Sequence, residues 1–168
     1  MLDYEIFELG DLALQWGETL VGSKLAYKTY GQLNADKDNV VVFPTFFGGQ
    51  HGHNEGIIGE GKALDPSKYF IIVPNMFGNG VSSSPSNSLP LQDRARFPKT
   101  SLYDNVSCQH RLVTEVFAIE KIALVVGWSM GGQQTFQWGS LYPDMVERIV
   151  PICGSAKTAG IISSSWKE

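Results

Sequence analysis

Ile122-Ala123-Leu124-Val125-Val126 runs without a break into Gly127-Trp128-Ser129-Met130-Gly131, and a helix-like segment from Met130 to Leu141 follows. A short β-branched apolar run, a Gly-x-Ser-x-Gly turn and a helix together form the context of a nucleophile elbow. The glycines carry the mechanical argument. A serine on so sharp a turn takes a strained backbone conformation, and side chains at Gly127 and Gly131 would collide with the neighbouring strand and helix. The turn lifts Ser129 Oγ clear of the sheet, above backbone N–H groups at the positive end of a helix. Ser129 is therefore the candidate nucleophile. The Met130 backbone N–H, from the residue after it, is the first candidate oxyanion donor.

Upstream, Val40-Val41-Val42-Phe43 and Tyr69-Phe70-Ile71-Ile72-Val73 are continuous apolar runs, as expected of strands covered on both faces. The first opens into Pro44-Thr45-Phe46-Phe47-Gly48-Gly49, where glycines allow close backbone approach. The second oxyanion donor is expected there, at the Phe46 N–H, with Thr45 and Phe47 as neighbouring alternatives. Pro44 to Gly61 reads as a glycine-rich loop with a short helix near its end. Asn75 to Lys99, rich in Gly, Ser, Pro and Asn, is a long excursion of the kind that often carries function.

Nearer the N-terminus, Phe7 to Leu14 and Thr19 to Tyr30, separated by Trp16-Gly17-Glu18, read as an antiparallel hairpin. Ser101 with Asp104 three residues on is a capping-box variant. It starts a helix whose apolar face carries Leu102, Val106, Val113, Val116 and Phe117. Tyr142-Pro143-Asp144 ends the elbow helix, and Val146 to Ile152 reads as a further buried strand. Strands alternating with helices predict a parallel sheet with right-handed crossovers.

Acyl transfer through serine needs a nucleophile, a base, a group that orients the base, and oxyanion donors. With a nucleophile elbow, the acid and then the histidine follow the serine along the chain. No histidine follows Ser129; the last is His110, and the later acids are Asp144, Glu147 and Glu168. No acid or base is assigned within this chain. His51 and His53 read as polar loop residues near the mouth of the site, since as metal ligands they lack a third partner. His110, beside Arg111, is expected at the surface. Asp104, Glu115 and Glu120 read as cap and helix-face charges. Trp128, Phe136, Trp138 and Tyr142 are expected to pack the elbow helix onto the sheet. Gly78-Asn79-Gly80 lacks the Gly-Lys-Ser/Thr of a phosphate loop.

At 168 residues the chain is one domain by length, and 43% hydrophobic with 18% charged residues fits a packed core, not a disordered segment. A net charge of −4, with Arg94, Arg96 and Lys99 as the densest basic cluster, argues against nucleic acid as a partner. Met1-Leu2-Asp3-Tyr4-Glu5 lacks the pattern of a signal peptide, and no apolar run reaches membrane-spanning length. A soluble, cytoplasmic protein without membrane association is expected. Cys108 and Cys153, without metal or redox spacing, are expected as small buried thiols.

The residues also resemble a family. Gly127-Trp128-Ser129-Met130-Gly131-Gly132-Gln133-Gln134, with Gln137-Trp138 and Tyr142-Pro143-Asp144, resembles the elbow region of homoserine O-acetyltransferase-like α/β-hydrolases. Phe43 to Gly49 stands where that family has its oxyanion loop. Pro74-Asn75-Met76-Phe77-Gly78-Asn79-Gly80 with Ser82-Ser83-Ser84-Pro85, and Asp104-Asn105-Val106 with Gln109 and Leu112, resemble two further family segments. The resemblance implies the N-terminal portion of an α/β-hydrolase fold: a β-hairpin, then a mostly parallel sheet with flanking helices. It also implies an acyl-Ser129 intermediate, formed from acetyl-CoA or another acyl donor as substrate and passed to a hydroxyl such as that of homoserine, with no permanently bound cofactor. Other members of the broader group are esterases.

Two departures stand out. Pro44 occupies a position where relatives usually carry His. The family's helical lid, last strands, acid and histidine have no counterparts here, because family members are roughly twice as long and the likeness stops near Thr158. Residues 1–158 are expected to form a partial α/β-hydrolase domain and 159–168 a divergent tail. The expected isolated chain is weakly active or inactive. The alternatives are a carboxylesterase-type hydrolase and a non-catalytic interaction module, the latter with self-association or a complementing chain at an exposed sheet edge.

Overall fold

The computed structural model describes residues 2–157. They form one six-stranded sheet in the order β1-β2-β4-β3-β5-β6. β1 (Glu5–Ala13) and β2 (Thr19–Tyr30) make the antiparallel hairpin, and β2 also pairs antiparallel with β4 (Phe70–Pro74). From there the sheet is parallel through β3 (Val40–Val42), β5 (Leu124–Trp128) and β6 (Ile149–Ile152). This is the expected architecture, the N-terminal portion of an α/β-hydrolase fold.

The apolar runs serve both faces of the sheet. Val40 and Val42 of β3 join Phe70, Ile72 and Val125 in a core with Val106, Leu112 and Trp138. These last three come from α1 (Leu102–Arg111), the turn after it, and α2 (Met130–Leu141). Val41 and Phe43 face the other way, into a smaller cluster with Ile71, Val73, Ile58 and Leu64. Successive strand side chains alternate faces, so a run apolar at every position fits only a strand covered twice.

α1 starts as its sequence dictates. Asp104 N–H donates to Ser101 Oγ at 3.1 Å, and Ser101 N–H donates to Asp104 Oδ2 at 2.7 Å. Asp104 Oδ1 also accepts from the Gln15 N–H at 2.8 Å, which ties the helix start to the hairpin turn.

Several expectations need correction. The helical register assumed through Phe117 is lost after Arg111, where residues 112–116 form a wider π-type turn; Val116 is thereby turned out and is 44% exposed. The short helix in the Pro44–Gly61 loop lies in its middle, at His51–Ile57, and is a 3-10 turn. The last strand begins only at Ile149 and is not buried. Cys108 is buried, whereas Cys153 lies just past β6, exposed and at φ 50°. The tail expected at 159–168 lies outside the described residues. Among the described residues no helix is long and apolar enough to cross a membrane.

Candidate active site

β3 connects to β4 on one side and its other neighbour is β5, so the carboxyl ends of β3 and β5 form a switch point of the sheet, where open α/β sheets place their ligands. Both candidate segments begin there. Ser129 links β5 to α2 at φ 54° and ψ −122°, a conformation that non-glycine residues hold only when the surroundings enforce it. Its N–H donates to the Ile152 carbonyl at 2.9 Å, and its carbonyl accepts from the Gln133 N–H at 3.1 Å. A Cβ on Gly127 would overlap the Gly131 backbone, and one on Gly131 would sit 2.8 Å from the Pro44 carbonyl oxygen. The two glycines thus allow strand, helix and the β3 loop to meet at one point. Ser129 itself is exposed.

The loop after β3 is pinned from several directions. Thr45 N–H donates to the Pro74 carbonyl at 3.2 Å, Thr45 Oγ1 accepts from the Met76 N–H at 3.0 Å, and the Thr45 carbonyl accepts from Gln134 Nε2 at 2.8 Å. The Thr45 N–H is thereby occupied, which removes it from the candidates for the second donor. The Gly49 N–H donates to the Phe46 carbonyl at 2.9 Å, closing the turn. Buried Asn54 braces the start of the loop by donating to the Phe43 carbonyl at 3.1 Å.

A cavity of about 580 Å³ opens beside the elbow, lined by Met130, Gln133, Phe47, Met76, Asn79 and Asn105 among others. Trp128 is half-buried, with its ring 5.2 Å from that of Phe43 and 5.9 Å from that of Phe46. It packs the elbow against the end of β3 and its loop, where packing of the elbow helix onto the sheet was expected.

The three histidines are engaged away from Ser129. His51, expected as a polar residue at the mouth, is instead buried: Nδ1 lies 3.2 Å from Asn75 Nδ2, and Nε2 lies 3.2 Å from Asp3 Oδ2. The Asp3 carboxyl is held below its usual range by hydrogen bonds from Lys28 and His51. His53 is exposed and its Nδ1 accepts from the Gln50 N–H at 3.0 Å. His110, expected at the surface, is half-buried and stacked on Tyr142 with centroids 4.0 Å apart; burial lowers its pKa below the ordinary histidine value.

The sequence reading assigned no individual role to Gln109 and Gln134. Both are fully buried, and they link α1, α2 and the β3 loop through side-chain amides. Their signal was faint: two polar residues on otherwise packed helix faces.

Sheet order, elbow and adjoining loop define a class, and the chain belongs to it: the model of the alpha/beta hydrolase fold family matches residues 38–166. Among individual relatives, an ethyl acetate hydrolase of Pseudomonas veronii is 47% identical over 157 residues, covering 93% of this chain and 45% of its own length. A homoserine O-acetyltransferase of Chlorobium chlorochromatii is 39% identical over 150 residues, covering 85% of this chain and 42% of its own length. The crystal structure of an acetylester hydrolase from Corynebacterium glutamicum superposes with a TM-score of 0.92 at 41% identity, over 96% of this chain and 48% of that one. The chain thus spans less than half the length of these relatives, and the ester hydrolases among them are more similar to it than the acetyltransferase.

Proposed function

We propose that this chain carries the nucleophile half of a serine hydrolase acting on short-chain acyl esters, acetyl esters foremost. The observation that carries the reading is Ser129 at φ 54° on a glycine-cleared elbow, beside the β3 loop at the switch point of the sheet. Identity of 47% to an ethyl acetate hydrolase favours hydrolysis of small esters over transfer.

In the proposed reaction Ser129 Oγ attacks the ester carbonyl carbon while its proton passes to a base. The negative charge that develops on the carbonyl oxygen is received by the Met130 and Phe46 N–H groups, fixed dipoles that need no reorganisation as the charge forms. Collapse of the tetrahedral intermediate breaks the bond to the alcohol oxygen, which leaves with a proton. Water then hydrolyses acyl-Ser129 and releases the acid. The three histidines of the chain have other partners. We assign the base and its orienting acid to polypeptide outside this sequence, either a continuation of the chain or a complementing one.

A second reading, transfer of the acyl group to an alcohol, is favoured by the 39% identity to a homoserine O-acetyltransferase. In that case a hydroxyl, not water, resolves acyl-Ser129.

The test is hydrolysis of 4-nitrophenyl acetate. The chain alone is expected to turn over about 10⁴-fold or more below a complete serine hydrolase, since loss of the base alone costs that much. The rate that remains without a base comes from the oxyanion donors and binding, so Ser129→Ala is expected to leave it nearly unchanged. Adding polypeptide that supplies the base is expected to raise turnover in the wild type and not in Ser129→Ala; an equal rise in both would sink the nucleophile assignment, and a rate matching a complete enzyme from the chain alone would sink the missing-base assignment. Adding homoserine during turnover separates the two readings by whether O-acetylhomoserine accumulates.

A further inference from the structure

Gln134 lies one helical turn after Met130 on α2, and together with two buried side chains behind it forms a directed relay. Trp138 Nε1 donates to Gln109 Oε1 at 2.9 Å, Gln109 Nε2 donates to Gln134 Oε1 at 2.6 Å, and Gln134 Nε2 donates to the Thr45 carbonyl at 2.8 Å. All three residues have no exposed surface. The direction is fixed by chemistry. An indole N–H can only donate, so it must face the oxygen of the Gln109 amide. That turns the Gln109 NH₂ toward Gln134, which turns the Gln134 oxygen toward Gln109 and its own NH₂ toward Thr45.

The Thr45 carbonyl and the Phe46 N–H belong to one peptide group. The described residues contain no cis peptide, and across a trans peptide the C=O and N–H point in opposite directions. Holding the carbonyl against the Gln134 amide therefore fixes the Phe46 N–H pointing away from that amide, and the next residues of the loop, Phe47 and Gly48, line the cavity together with Met130. Burying two primary amides costs free energy that apolar residues of equal volume would not, unless every polar atom is satisfied, as these are.

We propose that Trp138, Gln109 and Gln134 are positioning residues that lock the Thr45–Phe46 peptide in the orientation that receives the oxyanion. This rests on the reading above of Phe46 N–H as an oxyanion donor. Neither glutamine touches substrate; both act through the peptide plane.

The experiment is NMR on the isotopically labelled 168-residue chain, with ethylboronic acid as a tetrahedral probe of Ser129. In the wild type, a scalar coupling across the Gln134 N–H to Thr45 carbonyl bond is expected, and its absence overturns the proposal without any variant. The probe is expected to shift the Phe46 and Met130 amides. If it shifts neither while the coupling is present, the oxyanion reading fails and this inference with it. If the Met130 amide responds and Phe46 does not, the positioning role alone fails.

Gln134→Met is expected to displace the Phe46 amide and weaken probe binding about tenfold or more, with the Met130 amide still responding. Unchanged affinity with an unmoved Phe46 amide overturns the proposal. Gln109→Glu covers the case in which that variant does not fold. An ionised Glu has no donor for Gln134, so the Gln134 amide flips and turns its oxygen on the Thr45 carbonyl. A protonated Glu restores the donor. The affinity deficit of Gln109→Glu relative to wild type should therefore close as the pH falls, a recovery that a merely structural role does not produce. A deficit independent of pH, or none, overturns it.

Discussion

On one flank β5 pairs with β3, where Val40, Val41 and Val42 have no exposed surface; on the other it pairs with β6, where Ile149, Val150 and Ile152 keep 38%, 44% and 38% of theirs. The β3 flank is closed by buried amides, with Gln134 and Asn54 hydrogen-bonded to the loop that follows it. The β6 flank ends in an exposed Cys153 at φ 50°. The groups proposed to receive the oxyanion therefore sit on a self-sufficient scaffold. The strand beyond the nucleophile carries apolar side chains of the kind a further layer of structure would cover. Chain length agrees with this, since the relatives are more than twice as long as the stretch matched.

The sharpest contrast between the flanks is at two adjacent glycines of α2. A Cβ on Gly131 would meet the Pro44 carbonyl oxygen at 2.8 Å, on the closed flank. A Cβ on Gly132 would meet the Gly127 carbonyl oxygen of β5 at 3.1 Å and, on the open flank, Gly154 Cα and the Ile152 carbonyl at 3.1 Å. Gly131→Ala is expected to cost about 1–3 kcal/mol, as overpacking against backbone does. In Gly132→Ala the open flank can shift by a few tenths of an ångström although the Gly127 carbonyl of β5 cannot, and the helical preference of alanine returns about 0.5–1 kcal/mol. The net loss there should be smaller than in Gly131→Ala. Denaturant titration of the two variants reads the difference, and equal losses would show that β6 is as firmly held as β3.

A smaller effect is expected from Val150→Lys. The side chain is 44% exposed, so the stability of the monomer should change by no more than about 0.5 kcal/mol. What should change is association. If the uncovered strand pairs with a second copy, light scattering will show wild-type mass rising with concentration, and the lysine variant will suppress the rise. A wild-type monomer at all concentrations would mean that the open flank does not self-pair.

What the sequence disclosed follows the same division. The elbow, the three buried strand runs and the α1 cap were legible because local rules dictate them: Gly-x-Ser-x-Gly needs its glycines, and Ser101 with Asp104 forms a reciprocal cap whatever lies beyond. α2 was placed at its observed bounds of Met130–Leu141. Burial of β6 was misjudged because apolar composition gives a strand's nature but not whether anything covers it. Val116 was misplaced because a π-type turn shifts helical phase without a sequence mark. His51 was misread because its partners Asp3 and Asn75 are distant in sequence and brought close only by the fold. The Gln109–Gln134 relay was invisible for the same reason, since neither residue announces its partner locally.

The far end of α2 repeats the contrast and sets the smallest predicted effect. There Tyr142 stacks on His110 of α1 at 4.0 Å and an interplanar angle of 13°, so the helix is held from the α1 side. Burial lowers the His110 pKa, with Glu115 opposing weakly. The folded value therefore lies below the unfolded one, and in the window between them the unfolded chain binds more protons. The stack's contribution is full above the ordinary histidine pKa of about 6.5 and is lost as the pH falls through the lower folded value. His110→Phe keeps the ring stack and removes the titration. Melting temperatures measured from about pH 8 to about pH 5 should fall more steeply in wild type than in this variant, which differs from it only in the group that titrates at the stack. Parallel curves would mean that His110 charges without disturbing its stack, and that α2 is anchored at this end by something other than α1.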